Sequence, residues 1–336
     1  MQCPLHSAAI TARPSGAPIR PILLSGRKLM ARTMQIKKII KSKPTIEGAG
    51  VHLKRVFGFS EENLFDPFLL LDDFRSDIPE RYIKGFPWHP HRGIETITYM
   101  LAGQVEHGDS LGNSGVINPG EIQWMTAGSG IIHQEMPQGD PDGRMYGFQL
   151  WANLPAGQKM MDPRYREVKN GDIPVADVPG GAQVRVIAGE VSGVRGPVRD
   201  IVIDPEYLDV TIPAHTEFRH PVTAGHTVFA YVIDGMGYFC REKDPFTYEM
   251  VGENYFDLQR EPSVPNGTLV LFDTEAGGEE VAVFTEDHSV RFLLISGKPL
   301  EEPVAWYGPI VMNTREELKT AFSELNDGSF IKYRGT

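Results

Sequence analysis

Turn signals recur along this chain roughly every eight to twelve residues, and that rhythm constrains the fold more than any other feature. Ile94-Glu-Thr-Ile-Thr-Tyr-Met-Leu101 reads as a strand that turns at Ala102-Gly103. Ile117-Asn-Pro-Gly120 reads as a turn, Ile122-Gln-Trp-Met125 as the next strand, and Gly147-Phe-Gln-Leu-Trp-Ala-Asn153 as another. Upstream, Ile36, Ile39 and Ile40 are spaced among lysines, Val51–Phe57 alternates, and Asp66-Pro-Phe-Leu-Leu-Leu-Asp-Asp73 is an apolar run bounded by turn residues. The pattern predicts an all-β sandwich or barrel. A content of 35 Gly and 26 Pro fits many tight turns. One segment reads as a helix: Thr314 as N-cap, Glu317 three residues on, then Leu318, Ala321, Phe322 and Leu325 on one face.

The halves echo each other. Thr98-Tyr-Met-Leu-Ala-Gly103 matches Ala230-Tyr-Val-Ile-Asp-Gly235, and Asn118-Pro-Gly120 before Ile122 matches Pro265-Asn-Gly267 before Leu269. Two β-barrels from a duplicated unit explain this economically, and 336 residues suffice for two domains. The expected layout is a basic extension over 1–33, a metal-binding barrel over 34–165 and a second barrel over 180–336. Pro, Gly, Asp and Lys crowd the expected join between Met160 and Val184.

Charge is uneven. Met1 to Ile46 holds nine Lys or Arg and no acid, so with −11 overall the remainder carries −20. So acidic a body repels a phosphate backbone, which argues against direct nucleic-acid binding. No apolar run approaches a membrane span. Two cysteines, Cys3 and Cys240, provide no disulfide framework and point to a reducing, cytoplasmic setting. The basic head reads as a tail, or as sequence upstream of a true start at Met30 or Met34; its Arg-containing, acid-free character keeps an organelle address as the alternative.

Two clusters carry chemistry. In Trp88-His-Pro-His-Arg-Gly-Ile-Glu95, His89 and His91 at i and i+2 share one side of an extended segment. In Gly128-Ser-Gly-Ile-Ile-His-Gln-Glu135, His133 and Glu135 repeat the spacing, and Gly128 and Gly130 permit a tight turn before it. Two neighbouring strands would each offer a ligand pair. Three imidazoles and a carboxylate suit Fe, Mn, Ni, Cu or Zn and are too nitrogen-rich for Mg or Ca. Glu95, four residues after His91, is a rival carboxylate, as ligand or as proton acceptor. His107 reads as a hydrogen-bonded residue, Trp124 and Met125 as barrel wall, and Trp88 as packing near the ligands.

The stretches Phe86–Tyr99, Gly103–Ser110 and Gln123–Met136, together with Tyr307-Gly-Pro-Ile-Val-Met-Asn-Thr-Arg-Glu-Glu317, resemble the pirin family of the cupin superfamily from about Met34 to the C-terminus. The resemblance implies a bicupin, two cupin-type β-barrels with a short C-terminal helix, holding one mononuclear iron on His89, His91, His133 and Glu135. A general cupin would use Glu95 instead, and Gly128 stands where the general second motif has proline. In the second barrel, His215-Thr-Glu217 keeps a pair, with His220 and His226 nearby, but Leu269–Val283 has no histidine to complete a site. The resemblance likewise implies a metal-free second barrel and a monomer.

For function, the resemblance implies a quercetin 2,3-dioxygenase-type ring-cleaving oxygenase acting on a small aromatic substrate such as a flavonol. Glu135 would take the substrate's hydroxyl proton, with Glu95 in reserve. The alternative it implies is a redox-responsive iron protein that binds a transcription factor or metabolic enzyme without turnover.

Overall fold

The computed structural model describes residues 31–240, 249–251 and 261–333. The basic head up to residue 30, with Cys3 and Met30, lies outside the described residues. The described residues from Arg32 onward form one compact unit. Among the described residues, no helix is long and apolar enough to cross a membrane.

The alternating runs become antiparallel strands. In the first half, seven lie side by side in the order Arg164–Val168, Ile122–Thr126, Ile94–Ala102, Tyr146–Asn153, Phe68–Asp73, Val51–Phe57 and Lys43–Glu47. A second sheet of Phe86–His91, Ile131–Gln138, Gln104–Asp109 and Ser114–Ile117 packs on it. Val51, Leu53 and Met100 from the larger sheet meet Val105 and Ile117 from the smaller in one apolar cluster. These sheets make the first barrel.

The second half repeats the order. Its large sheet runs Val175–Asp177, Gln183–Ala188, Glu206–Ile212, Val290–Gly297, Thr227–Gly237, Thr268–Asp273, Gln35–Lys41 and Glu249–Val251, with Val264–Pro265 attached to Thr227–Gly237. Glu217–Pro221 pairs separately with Glu280–Phe284. The echoed segments, Ile94–Ala102 and Thr227–Gly237, hold matching central places.

One strand sits where sequence reading did not put it. Gln35–Lys41, expected in the first barrel, pairs with Thr268–Asp273 of the second. It fills the seat that Arg164–Val168 fills beside Ile122–Thr126 in the first. Ile36, Ile39 and Ile40 are buried there, and Ile36 and Ile39 join the core of the second barrel. Local patterning marks a strand and its buried face but not which of two similar sheets receives it.

The large sheets of the two halves pack back to back. Ile97, Trp124, Phe148 and Leu150 share the largest core cluster with Phe229, Tyr231, Leu269 and Leu293. The C-terminal helix spans Arg315–Asp327 and begins with the expected capping box of Thr314 and Glu317. A second helix of one turn, Glu62–Phe65, was not anticipated, since four residues carry too little periodicity to read.

Candidate metal centre

Phe86–His91 pairs antiparallel with Ile131–Gln138, setting His133 opposite His89 and Ile131 opposite His91. Gly128 has a positive φ of 50°, and a Cβ there would strike the Met161 carbonyl, so the turn into the second strand requires glycine. Strand alternation then aims His89, His91 and His133 at one point. Their donor nitrogens all lie within 4.8 Å of one another.

The hydrogen bonds leave the right nitrogens free. His89 Nδ1 faces the Pro87 carbonyl at 2.8 Å and His91 Nδ1 faces the Pro309 carbonyl at 3.2 Å. A carbonyl only accepts, so each Nδ1 carries the proton and each Nε2 keeps its lone pair. Those two Nε2 atoms stand 3.0 Å apart. Two lone pairs repel at that distance unless a cation sits between them, and 3.0 Å is what two nitrogens each about 2.1 Å from one ion span at a right angle. His133 Nε2 is buried and has no hydrogen-bond partner. Burial, with the neighbouring imidazoles, pushes His91 well below its ordinary pKa, and burial pushes His133 down to about 4. All three observations fit a metal ion.

Glu135 does not join this group. A register shift between His133 and Glu135 offsets the strand, and Glu135 is buried with its oxygens occupied. Oε1 accepts from Thr98 Oγ1 at 3.1 Å, and both oxygens accept from Gln149 Nε2 at 3.2 Å. Trp151 Nε1 donates to Gln149 Oε1 at 3.3 Å, and the Trp151 ring packs edge-on against His91 at 5.1 Å. Thr98, Gln149 and Trp151 were missed in the sequence, where only their even spacing on strands that end up adjacent could have flagged them.

Glu95 points elsewhere. It accepts from Thr126 Oγ1 at 2.6 Å and Trp124 Nε1 at 3.0 Å, on the sheet face that carries Ile97 and Tyr99 into the interface between the halves. Thr98, on the opposite face, reaches Glu135. The even spacing from His91 misleads because the strand breaks at Arg92-Gly93, where Gly93 has φ 78°, and the face count restarts at Ile94. Glu95 therefore serves neither as ligand nor as proton acceptor at this centre. Burial raises its pKa against the pull of its two hydrogen bonds.

The C-terminal segment braces the centre. Lys159, buried, donates to Gly93 O at 2.9 Å, Asn153 Oδ1 at 2.6 Å and Val311 O at 3.0 Å. Arg92 donates to Ser129 O, Glu324 Oε2 and Phe330 O, each at 2.8 Å. These ties hold Pro309 against His91. An open cleft of ≈ 770 Å³ reaches the centre, lined by His89 and His91 together with Trp88, Trp151, Trp306 and Phe86. His107 lies off the centre, bonded to the Tyr165 hydroxyl.

In the second half, His220 Nε2 meets Glu206 Oε1 at 3.1 Å, and His215 is exposed beside Asp287. The strand that pairs with the His220 strand presents Val281, Ala282 and Val283.

Two back-to-back barrels with a three-histidine centre in the first, able to hold a metal ion, define a bicupin. Family models for Pirin and the Pirin C-terminal cupin domain match residues 50–152 and 207–331. The chain is 42% identical to a pirin-like protein of Caulobacter vibrioides over 93% of this chain and 100% of that protein. It is 38% identical to pirin-like protein 2 of Arabidopsis thaliana, covering 87% of this chain and 84% of that one. A crystal structure of quercetin 2,3-dioxygenase from Acinetobacter baumannii superposes with TM-score 0.76 at 29% identity, covering 89% of this chain and 98% of that one. The chain belongs to the pirin family.

Proposed function

We propose that this protein is an iron-dependent oxygenase of the quercetin 2,3-dioxygenase type that opens the heterocycle of a flavonol. The observation that carries the reading is a three-imidazole set, two of whose rings, His89 and His91, line a tryptophan-walled cleft, with the Glu135 carboxylate two residues past His133 on the same strand. The likeness to the Acinetobacter baumannii enzyme supports it.

Bound on His89, His91 and His133, iron would supply Lewis acidity toward a substrate oxygen and one-electron chemistry toward dioxygen. Trp151 and Trp306, with ring centres 6.0 Å apart, give a flat aromatic substrate faces to pack on. Glu135 takes the substrate's hydroxyl proton, and Gln149 and Thr98 fix the direction in which it can do so. Both atoms of dioxygen enter the ring-opened ester and carbon monoxide leaves, so no outside reductant is needed. The test is aerobic incubation of iron-loaded protein with quercetin. Release of carbon monoxide with loss of the flavonol absorbance is expected, and the absence of both overturns the reading. Elemental analysis with EPR on untagged protein names the metal.

One feature favours a second reading, a redox-responsive binding protein. Arg92, next to His91, is tied to Glu324 of the C-terminal helix, and Tyr307 beside that helix is 69% exposed. A change at the metal would reach that surface. Partner capture that differs between ferrous and ferric protein, with no flavonol turnover, selects this reading. The reducing setting implied by two cysteines supports a cytoplasmic location for either.

A further inference from the structure

The sheet that carries Gln149 continues past it to a charged group in the wall of the open cleft. Gln149 stands opposite Asp72 on the next strand, and Asp72 stands opposite Arg55 on the one after. Residues directly opposite share a face, and neighbouring strands lie about 4.8 Å apart. Arg55 is therefore roughly 10 Å along the sheet from Gln149, on the same face. All three line the cleft together with His89 and His91.

Arg55 is held from two sides. Its Nε and Nη2 donate to the two oxygens of buried Asp72 at 2.9 and 2.8 Å, and Nη1 donates to Glu47 Oε1 at 2.9 Å. A guanidinium has five N–H groups, so two remain, without a partner among the described residues. Glu47 Oε2 is also without a partner among the described residues. The Arg55 side chain is 29% exposed and that of Glu47 42%. Gly48, with φ 55° and a position where a Cβ would strike the Phe86 ring, lets the turn after Glu47 press against the cleft wall. The cleft thus offers free N–H donors beside a free carboxylate oxygen. A phenolic hydroxyl accepts from the first and donates to the second. A ligand carboxylate only accepts, and it would meet two carboxylates against one guanidinium. Beyond Trp151 and Trp306 the aromatic wall extends to Phe59, whose ring centre is 5.4 Å from that of Trp306.

We infer that Arg55 and Glu47 form a specificity site for a hydroxyl group on an outer ring of the substrate, remote from the atoms at the metal. The aromatic occupant rests on the oxygenase reading; the selection of a hydroxyl rests on the donor and acceptor atoms that Arg55 and Glu47 leave free. A single ring does not span the distance from the histidines to Arg55. The site therefore selects an extended, polyhydroxylated molecule over a simple phenol. Binding there makes and breaks no covalent bond.

The test compares two flavonols on the iron-loaded full chain without oxygen, so that binding is read without turnover. Quercetin is hydroxylated on both outer rings, and 3-hydroxyflavone on neither. Titration of the flavonol absorbance is expected to give the wild type a preference for quercetin of about ten-fold, the worth of hydrogen bonds to charged groups that stay partly solvated. Glu47→Ala and, separately, Arg55→Lys are expected to bring that preference close to one, with metal content as in the wild type. Arg55→Lys keeps a cation beside Asp72, and Glu47→Ala leaves the Arg55–Asp72 pair whole, so a folding defect in one variant does not silence the other. In aerobic turnover the same variants should raise the KM for quercetin and not that for 3-hydroxyflavone. Equal wild-type affinity for the two compounds, or a preference that survives either substitution, overturns the specificity site and leaves the oxygenase reading standing. Binding of neither flavonol by the wild type overturns the oxygenase reading and this site with it.

Discussion

The side-chain amide of Gln149 donates to both carboxylate oxygens of Glu135 at 3.2 Å, and its own oxygen is fixed by the Trp151 indole. This locks the amide's orientation and, through it, the carboxylate beside the metal centre. Replacing Gln149 with Leu keeps the carboxylate but frees its direction. A positioned base is worth roughly 10²–10⁴ in rate. Flavonol turnover by Gln149→Leu should therefore fall by about ten-fold, less than for Glu135→Gln, with metal content unchanged in both. Parallel steady-state kinetics and metal analysis check this, and loss of metal from Gln149→Leu would show that Gln149 supports the metal rather than the base.

Removing an imidazole acts on the metal itself. His91→Ala and His133→Ala each leave two histidines facing the ion. Each variant should bind iron far more weakly, with stoichiometry falling well below one after dialysis, and should lose turnover. Because His133 Nε2 is buried without a partner, metal-free His133→Ala should be no less stable than expected from its lost packing. Metal analysis and thermal melts of the stripped proteins read these separately.

The site was partly legible in the sequence, and the physical reasons divide cleanly. His89 and His91 were readable because they share one regular strand, where a period of two is reliable, whereas the register shift after His133 carries Glu135 away from the three imidazoles. Glu95 was misread because Gly93 interrupts the strand, a break that an i, i+4 count crosses unseen. Gln149, Trp151 and Thr98 carry no motif; only strand pairing makes them neighbours of Glu135. Pro309 and Lys159 reach the centre through contacts across much of the chain, which no local window contains. The all-β class and the capped helix were legible because both are written in short-range periodicity. The exchange of Gln35–Lys41 into the second sheet was not, because both barrels offer it the same kind of edge.

Acid should destabilise the metal-free protein through its histidines. His133 has its folded pKa pushed from 6.5 to about 4, and His91 is lowered too, so between pH 6.5 and 4 the unfolded chain binds protons that the fold refuses. Stability then falls as pH drops through that window, by about 3 kcal/mol for His133, and is flat in this respect above it. Asp72, raised by burial to about 6, acts with the opposite sign between 6 and 3.8. The histidine contribution is therefore read as the difference between wild type and His133→Leu in denaturant melts from pH 7 to 4. A variant with the wild-type slope would assign the acid sensitivity elsewhere.

Lys159 ties the Gly93 turn to the C-terminal hairpin, and burial pushes its pKa from 10.5 down to about 7. Lys159→Met leaves the Gly93 and Val311 carbonyls and the Asn153 side-chain oxygen without this donor. Orphaning buried acceptors costs about 1–3 kcal/mol each before relaxation. The melting temperature should drop, and metal affinity should weaken because Pro309 no longer holds His91 firmly. Chelator competition checks the second effect; unchanged affinity in a destabilised variant would confine Lys159 to the fold.

The duplication predicts a symmetry in stability. Tyr99 and Tyr231, matched residues of the echoed segments, reach across the interface in opposite directions. The Tyr99 hydroxyl donates to Asp209 at 2.6 Å, and the Tyr231 hydroxyl to Asp73 at 2.8 Å. Each aspartate is also held by a two-pronged arginine, Arg291 on Asp209 and Arg75 on Asp73. A hydrogen bond to a buried charge is worth about 1.5–3 kcal/mol. Tyr99→Phe and Tyr231→Phe should each lose about that much, because the arginine remains in both cases and the apolar ring is kept. The two bonds share no partner, so the double variant should lose close to the sum. Denaturant melts of the four proteins decide it: a double variant that loses clearly less than the sum would mean that the two bonds support each other through the packed interface.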